Sequence, residues 1–93
     1  MDIFSTIAIK IIKEQELIIG PLAWIEAKKV GGLTVTDATR EVFLDGDKKE
    51  VIDSLVAQFD RLFGRASHEV SREAVAGLIA DLTPTDIPVS LKT

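Results

Sequence analysis

The residues best suited to chemistry are four basic side chains around one predicted turn. Guanidinium groups attract anions, and so do the free backbone amides at the start of a helix. Because the turn joins two predicted helices, it combines both features and is a candidate site for a phosphate group or an acidic partner loop. The alternative is that the cations pair with acidic neighbours on a solvated helix face. The four residues are Arg61, Arg65, His68 and Arg72.

Catalytic chemistry finds little support in the sequence. His68 is the only histidine, and a general base needs an oriented partner and a reacting group within reach. Its neighbours Ser67 and Glu69 point elsewhere on a helix, so they form no catalytic set with it. The chain has no cysteine, which excludes a disulfide, a thiolate metal site and a cysteine nucleophile. We therefore expect no catalytic residues and a protein that is not an enzyme.

Sequence signatures for metals and nucleotides are also missing. Asp45, Gly46 and Asp47 are similar to the start of a calcium loop, but Lys48 and Lys49 stand where such a loop needs oxygen ligands. No Walker loop and no dinucleotide-binding glycine motif occurs. We therefore expect no metal and no cofactor, and interpret the three residues as a turn followed by a helix cap.

The composition is that of a compact acidic protein. Of the 93 residues, 46% are hydrophobic and 28% are charged, and 11 basic against 15 acidic residues give a net charge of -4. The apolar fraction is too high for a disordered chain. The acidic balance argues against a nucleic-acid partner, which needs clustered positive charge. The length suits one domain, which we expect over residues 1–84, followed by an extended C-terminal tail over residues 85–93.

The N-terminal segment is the most apolar part of the chain. Eight of the eleven isoleucines lie in the first 25 residues. Their spacing of mostly three or four residues favours a helix within residues 2–30, although the β-branched residues over 6–12 leave a strand as the alternative there. Gly20 and Pro21 predict a kink or a restart, with a shorter helix that ends near Lys29.

A β-hairpin is predicted in the middle of the chain. Residues 33–36 alternate and are β-branched, and residues 40–44 can pair with them across a short turn. The alternative is a one-turn helix capped by Thr36. An isolated hairpin is marginally stable, so this one must pack on helices or add to another chain's sheet.

Two amphipathic helices are predicted in the C-terminal half. The first begins at Asp47, an N-cap candidate with Glu50 three residues further on, and ends at Gly64. The second spans residues 67–82, with Ser67 as its cap. A connection this short favours an antiparallel or steeply crossed pair. The predicted fold class is therefore mainly α (α+β): a small domain of three to four helices, with a short β-hairpin between the N-terminal helical segment and the C-terminal helix pair.

The function that we expect is assembly. The opening thirty residues carry more aliphatic surface than a lone molecule of this size can bury, and a homodimer buries such a surplus between its two copies. Replacing Ile7 or Ile11 by aspartate should then dissociate the assembly. For Trp24 a core position is the alternative to an interface position. The expected interface residues are Ile3, Phe4, Ile7, Ile11, Ile18 and Trp24.

Two other functions stay open at this point. One is an anion- or small-ligand-binding regulatory domain that uses the basic turn. The other is a peripheral membrane protein attached by residues 1–12, although Lys10 and Lys13 supply little positive charge for the polar face of such a helix. The apolar run is half of the ~20 residues needed to span a bilayer, and no secretory cleavage site follows it. We therefore expect a cytoplasmic protein whose partner is a second copy or another protein.

Overall fold

The computed structural model describes residues 2–92, and within them it confirms the predicted fold class: a mainly helical domain with one antiparallel hairpin. Two 3₁₀ turns, Pro84–Asp86 and Val89–Leu91, follow the last helix. The other elements, in chain order, are α1 (Ile3–Ile19), α2 (Leu22–Ala27), β1 (Leu33–Thr36), β2 (Glu41–Leu44), α3 (Lys48–Phe63) and α4 (Arg65–Ile79).

Residues 6–12 are helical, so the strand alternative is wrong. Asp2 caps α1 by accepting a hydrogen bond from the backbone N–H of Ser5 at 2.9 Å, as a short acidic side chain at this position does. The helix continues to Ile19 because its buried face repeats at helical spacing through Ile7 and Ile11. The chain breaks at Gly20 as predicted, and α2 then ends at Ala27, two residues before the predicted end.

The hairpin is also confirmed. The two strands pair antiparallel with Leu33 opposite Leu44 and Val35 opposite Val42. Val42 is buried against the helices, so the hairpin gains from the helical core the stability that an isolated pair lacks. The alternative, a one-turn helix capped by Thr36, is therefore wrong.

The start of α4 differs from the prediction. Asp47 caps α3 as expected, accepting from the backbone N–H groups of Lys49 and Glu50. The predicted cap Ser67, however, lies inside α4, which begins at Arg65 directly after Gly64. Gly64 has φ +81°, a conformation that glycine adopts without strain. The chain therefore reverses at one residue, and α4 starts earlier and ends earlier than predicted.

Residues 85–92 are packed against the domain instead of forming an extended tail. Leu91 is 2% exposed and belongs to the hydrophobic core. Asp53 of α3 accepts hydrogen bonds from both the backbone N–H and the hydroxyl of Ser90, at 2.9 and 2.5 Å. These contacts join the second 3₁₀ turn to α3. Residue 93 of the predicted tail lies outside the described residues.

Two contacts establish the directions of the long helices. Lys48 Nζ lies 2.6 Å from Asp2 Oδ2, which places the N-terminal ends of α1 and α3 together. Near the other end of α1, Gln15 donates to the carbonyl oxygen of Ser67 in the first turn of α4. Helices α1 and α3 therefore have their N-terminal ends together, and α4 begins beside the C-terminal part of α1. The α1–α2 and α3–α4 turns meet at the same end of the molecule.

Candidate interaction surface

Most of the exposed large apolar side chains lie at the end of the molecule that holds these two turns. Six side chains there are between 37% and 80% exposed. Among the described residues, the other exposed large apolar side chains are Phe43 and Val89, which lie on β2 and the last 3₁₀ turn. We call the six residues the apolar end. They are Leu17, Ile18, Leu22, Ile25, Leu62 and Phe63.

Helix geometry explains why these side chains stay exposed. Leu17 follows the buried Gln15 by two positions, which turns it to the opposite side of α1. Leu22 and Ile25 are three residues apart and share the outer side of α2, whose other face packs Trp24 inward. Among residues 2–92 no element covers this outer side of α2 completely, so Leu22 and Ile25 remain exposed.

The α3 side of the apolar end is anchored by packing. The Phe63 ring stacks on the buried Phe59, with the ring centroids 6.4 Å apart. Gln58, one turn before Leu62, donates to the Glu26 carboxylate at 2.8 Å and so joins α3 to α2. The exposed side chains of α2 and α3 therefore belong to one rigid surface.

A groove of about 480 Å³ adjoins the apolar end between α1 and α4. Four aliphatic residues and two glutamates line it. Among residues 2–92 neither carboxylate forms an ion pair. The residues that line it are Glu14, Leu17, Ile18, Val70, Glu73 and Ala74.

The six expected interface residues divide between core and surface. Ile7 and Ile11 are fully buried within the single chain, and Trp24 is 5% exposed. In this fold these three therefore have almost no surface to offer a partner. Ile3 and Phe4 are half-buried and pack against the core. Ile18 alone is well exposed, and it belongs to the apolar end.

Trp24 is held in place by two charged residues. The guanidinium carbon of Arg40 lies 4.9 Å from the centre of the indole ring, and Arg40 Nη1 donates to Glu16 Oε2 at 2.7 Å. The Trp24 indole N–H, which faces Glu16 without reaching hydrogen-bond geometry, and the Arg40 guanidinium both lower the pKa of the Glu16 carboxyl. This arrangement ties the hairpin loop to α1 and α2, so Trp24 takes the core position that was the alternative.

The cleft beside this arrangement is lined by charges of both signs. It has a volume of about 440 Å³ and is bordered by Ile9, Lys13 and residues 37–41. Lys28 also forms an ion pair with Asp37 in the same loop. Because the acidic and basic groups alternate around the cleft, it favours no one ligand charge.

Two of the four residues of the basic turn lie against acidic neighbours. His68 Nδ1 lies 2.6 Å from Asp60 Oδ2. Arg72 pairs with Glu69 and lowers the pKa of that carboxyl. Arg61 donates to the side-chain oxygen of Gln58, and Arg65 forms no ion pair with residues 2–92. The four residues therefore do not converge on one free anion site.

The N-terminal residues offer little apolar surface to a bilayer. The long apolar side chains of α1 that face inward, Ile7, Ile11 and Ile12, are completely buried. Within residues 2–92 we find no helix with the length and hydropathy that a membrane crossing requires. Residue 1 of the proposed attachment segment lies outside the described residues.

Comparison with known proteins gives no relative for this chain. No protein-family model matches it, and no match is found among curated proteins or among solved structures. Its class is therefore defined by its own architecture: a small helical domain with one hairpin and an exposed apolar end.

Proposed function

We propose that the protein is a small non-enzymatic assembly module that forms a homodimer through the apolar end. The observation that carries this proposal is the gathering of six exposed apolar side chains at one end of the molecule, next to a groove lined by aliphatic side chains and two glutamates. Exposed patches of this kind are typical of protein interaction sites. A cytoplasmic location and a function without catalysis are parts of the same proposal, and they rest on the sequence.

The energy available at this surface suits self-association. Complete burial of one such side chain contributes about 1.5–3 kcal/mol. In a two-fold dimer each residue is buried twice, once from each copy. Several partly buried residues of the apolar end can therefore offset an association cost of about 4–15 kcal/mol.

The proposed interface differs in position from the set expected from sequence. Ile18 is common to both. Leu17 and Ile25 take the place of Ile7 and Ile11, which pack inside the single chain. Aspartate at position 7 or 11 should therefore unfold the monomer, and it offers no clean test of assembly.

The test is the mass in solution of three variants. Ile18→Asp and Leu22→Asp place a charge in the proposed interface, whereas Val89→Asp places the same charge on an exposed apolar residue of another surface. We expect the wild type and Val89→Asp to be dimers by light scattering at high micromolar concentration. The two interface variants should be monomers with unchanged circular dichroism. A monomeric wild type would overturn the proposal, and so would equal dissociation by Val89→Asp.

A further inference from the structure

We propose that the two copies pair about a two-fold axis that sets Glu14 and Glu73 of one copy against Arg61 and Arg65 of the other. This inference rests on the proposed dimer and adds its orientation and its electrostatic basis. It follows from the placement of charge on two sides of the apolar end.

The acidic side lies along the groove between α1 and α4. Glu14 of α1 and Glu73 of α4 line this groove together with Leu17 and Ile18 of the apolar end. Within residues 2–92 no lysine, arginine or histidine lies within ion-pair distance of either carboxylate. Two like charges thus border the apolar end, and neither has an ion-pair partner in the described part of the chain.

The basic side lies at the α3–α4 turn. Arg61 directly precedes Leu62, and Arg65 opens α4 one residue after Gly64. Both arginines are exposed. Arg61 has a neutral hydrogen-bond acceptor, the side chain of Gln58, and Arg65 has no ion-pair partner in residues 2–92. Arg72, by contrast, is already paired with Glu69.

A second copy of the chain is the occupant that matches both sides. In a two-fold interface the same surface meets itself, and an axis that passes between the acidic and basic sides sets each side against the opposite side of the partner. Acidic groups then meet basic groups at both edges of the interface. A partner of uniformly positive or negative charge would satisfy one side and repel the other.

Charge reversal tests this pairing. One variant carries Glu14→Lys with Glu73→Lys, and a second carries Arg61→Glu with Arg65→Glu. Each variant alone brings like charges together, so we expect its dimer dissociation constant to rise roughly tenfold or more at low salt. An equimolar mixture should form a heterodimer at least as tight as the wild-type dimer, measured by native mass spectrometry and sedimentation.

A control variant and a salt series complete the experiment. Asp45→Lys with Asp81→Lys changes the net charge as much as the glutamate reversals, on exposed residues outside the interface, and should dimerise like the wild type. Raising salt toward 1 M, where the Debye length is about 3 Å, should weaken the wild-type dimer and strengthen that of each reversed variant.

The outcomes separate this inference from the proposed function. If both reversed variants dimerise like the wild type, or if their mixture forms no heterodimer, the charge pairing is overturned. The homodimer itself then still stands, provided that Ile18→Asp dissociates it. If the wild type is monomeric at high micromolar concentration, both proposals are overturned together.

Discussion

Gln15 and Ser67, 52 positions apart in sequence, are joined by a buried hydrogen bond in which the glutamine amide donates to the serine carbonyl oxygen at 2.9 Å. The same amide nitrogen donates to the Ser71 hydroxyl at 3.1 Å. This polar contact lies between α1 and α4, on a face of α1 that is mostly aliphatic. These two hydrogen bonds hold the face of α4 that carries Ser67 and Ser71 against α1.

Replacing Gln15 by leucine should destabilise the fold by about 1–3 kcal/mol. The volume is nearly conserved, but the buried Ser71 hydroxyl loses its donor and the cost of burying it remains. Urea unfolding measures the change, with Lys10→Ala as a control on the exposed side of the same helix. A loss no larger than that of the control would show that this hydrogen bond contributes nothing.

Alanine at Gly32 should destabilise far more than alanine at Gly20. Both glycines have positive φ, so both substitutions strain the backbone by about 1–3 kcal/mol. Only at Gly32 would the new methyl group meet the Val51 side chain at 2.7 Å and the Asp45 carbonyl oxygen at 3.0 Å. We expect an additional cost of about 1–3 kcal/mol at Gly32. Equal unfolding free energies for the two variants would contradict the close contact.

The backbone conformation of Arg40 should give different stabilities to two variants that lose the same side-chain contacts. Arg40→Ala and Arg40→Gly both lose the ion pair with Glu16 and the contact with Trp24, so the emission of this sole tryptophan should shift to the red in both. Arg40 has φ +54°, which glycine adopts more readily than alanine, so the glycine variant should be about 1 kcal/mol more stable. An alanine variant that is as stable as the glycine variant, or more stable, would contradict this prediction.

Truncating Leu91 should reveal the docked C-terminal segment. Leu91→Ala removes a side chain that is 2% exposed and packed in the core, and it should cost about 2–5 kcal/mol. Val89→Ala, in the same 3₁₀ turn but 74% exposed, should change stability by less than about 0.5 kcal/mol. Similar losses for both variants in thermal unfolding would mean that the turn does not hold the core together.

Acid should weaken the fold through carboxylates that are stabilised in their charged form. The Lys29 ammonium and the Gln58 amide hold the pKa of Glu26 below its ordinary value of 4.5, although burial opposes them. The unfolded chain therefore binds protons first, and stability falls as the pH drops below this value and through the lower folded pKa. Urea midpoints from about pH 7 to about pH 3 should decline less steeply in Glu26→Gln. If the urea midpoint of Glu26→Gln falls with pH as steeply as that of the wild type, another group dominates the loss of stability in acid.

Features that depend on local chemistry were predictable from the sequence. Asp47 supplies an oxygen to free amides two and three residues away, and Gly20 with Pro21 interrupts any helix. Both are decided by neighbours in the chain, so no knowledge of the fold is needed. The strand at residues 33–36 is likewise predicted by a local pattern, the alternation of its side chains.

Features that depend on distant contacts were not predictable. The docking of Ser90 on Asp53 spans 37 positions and leaves no local pattern. Isoleucine content does not locate the apolar end, because several isoleucines of α1 are buried and the polar Gln15 shares their face. If Gln15 is assigned to the buried face of α1, Leu17, two positions further on, falls on the exposed face of the same helix.

The single residue Gly64 both ends α3 and begins α4. One residue inserted at this point would lengthen the single-residue connection after which Ser67 and Ser71 reach Gln15. The length of the turn therefore determines which face of α4 packs against α1. Homologues of this fold should tolerate new side chains around position 64 far better than an insertion or a deletion there.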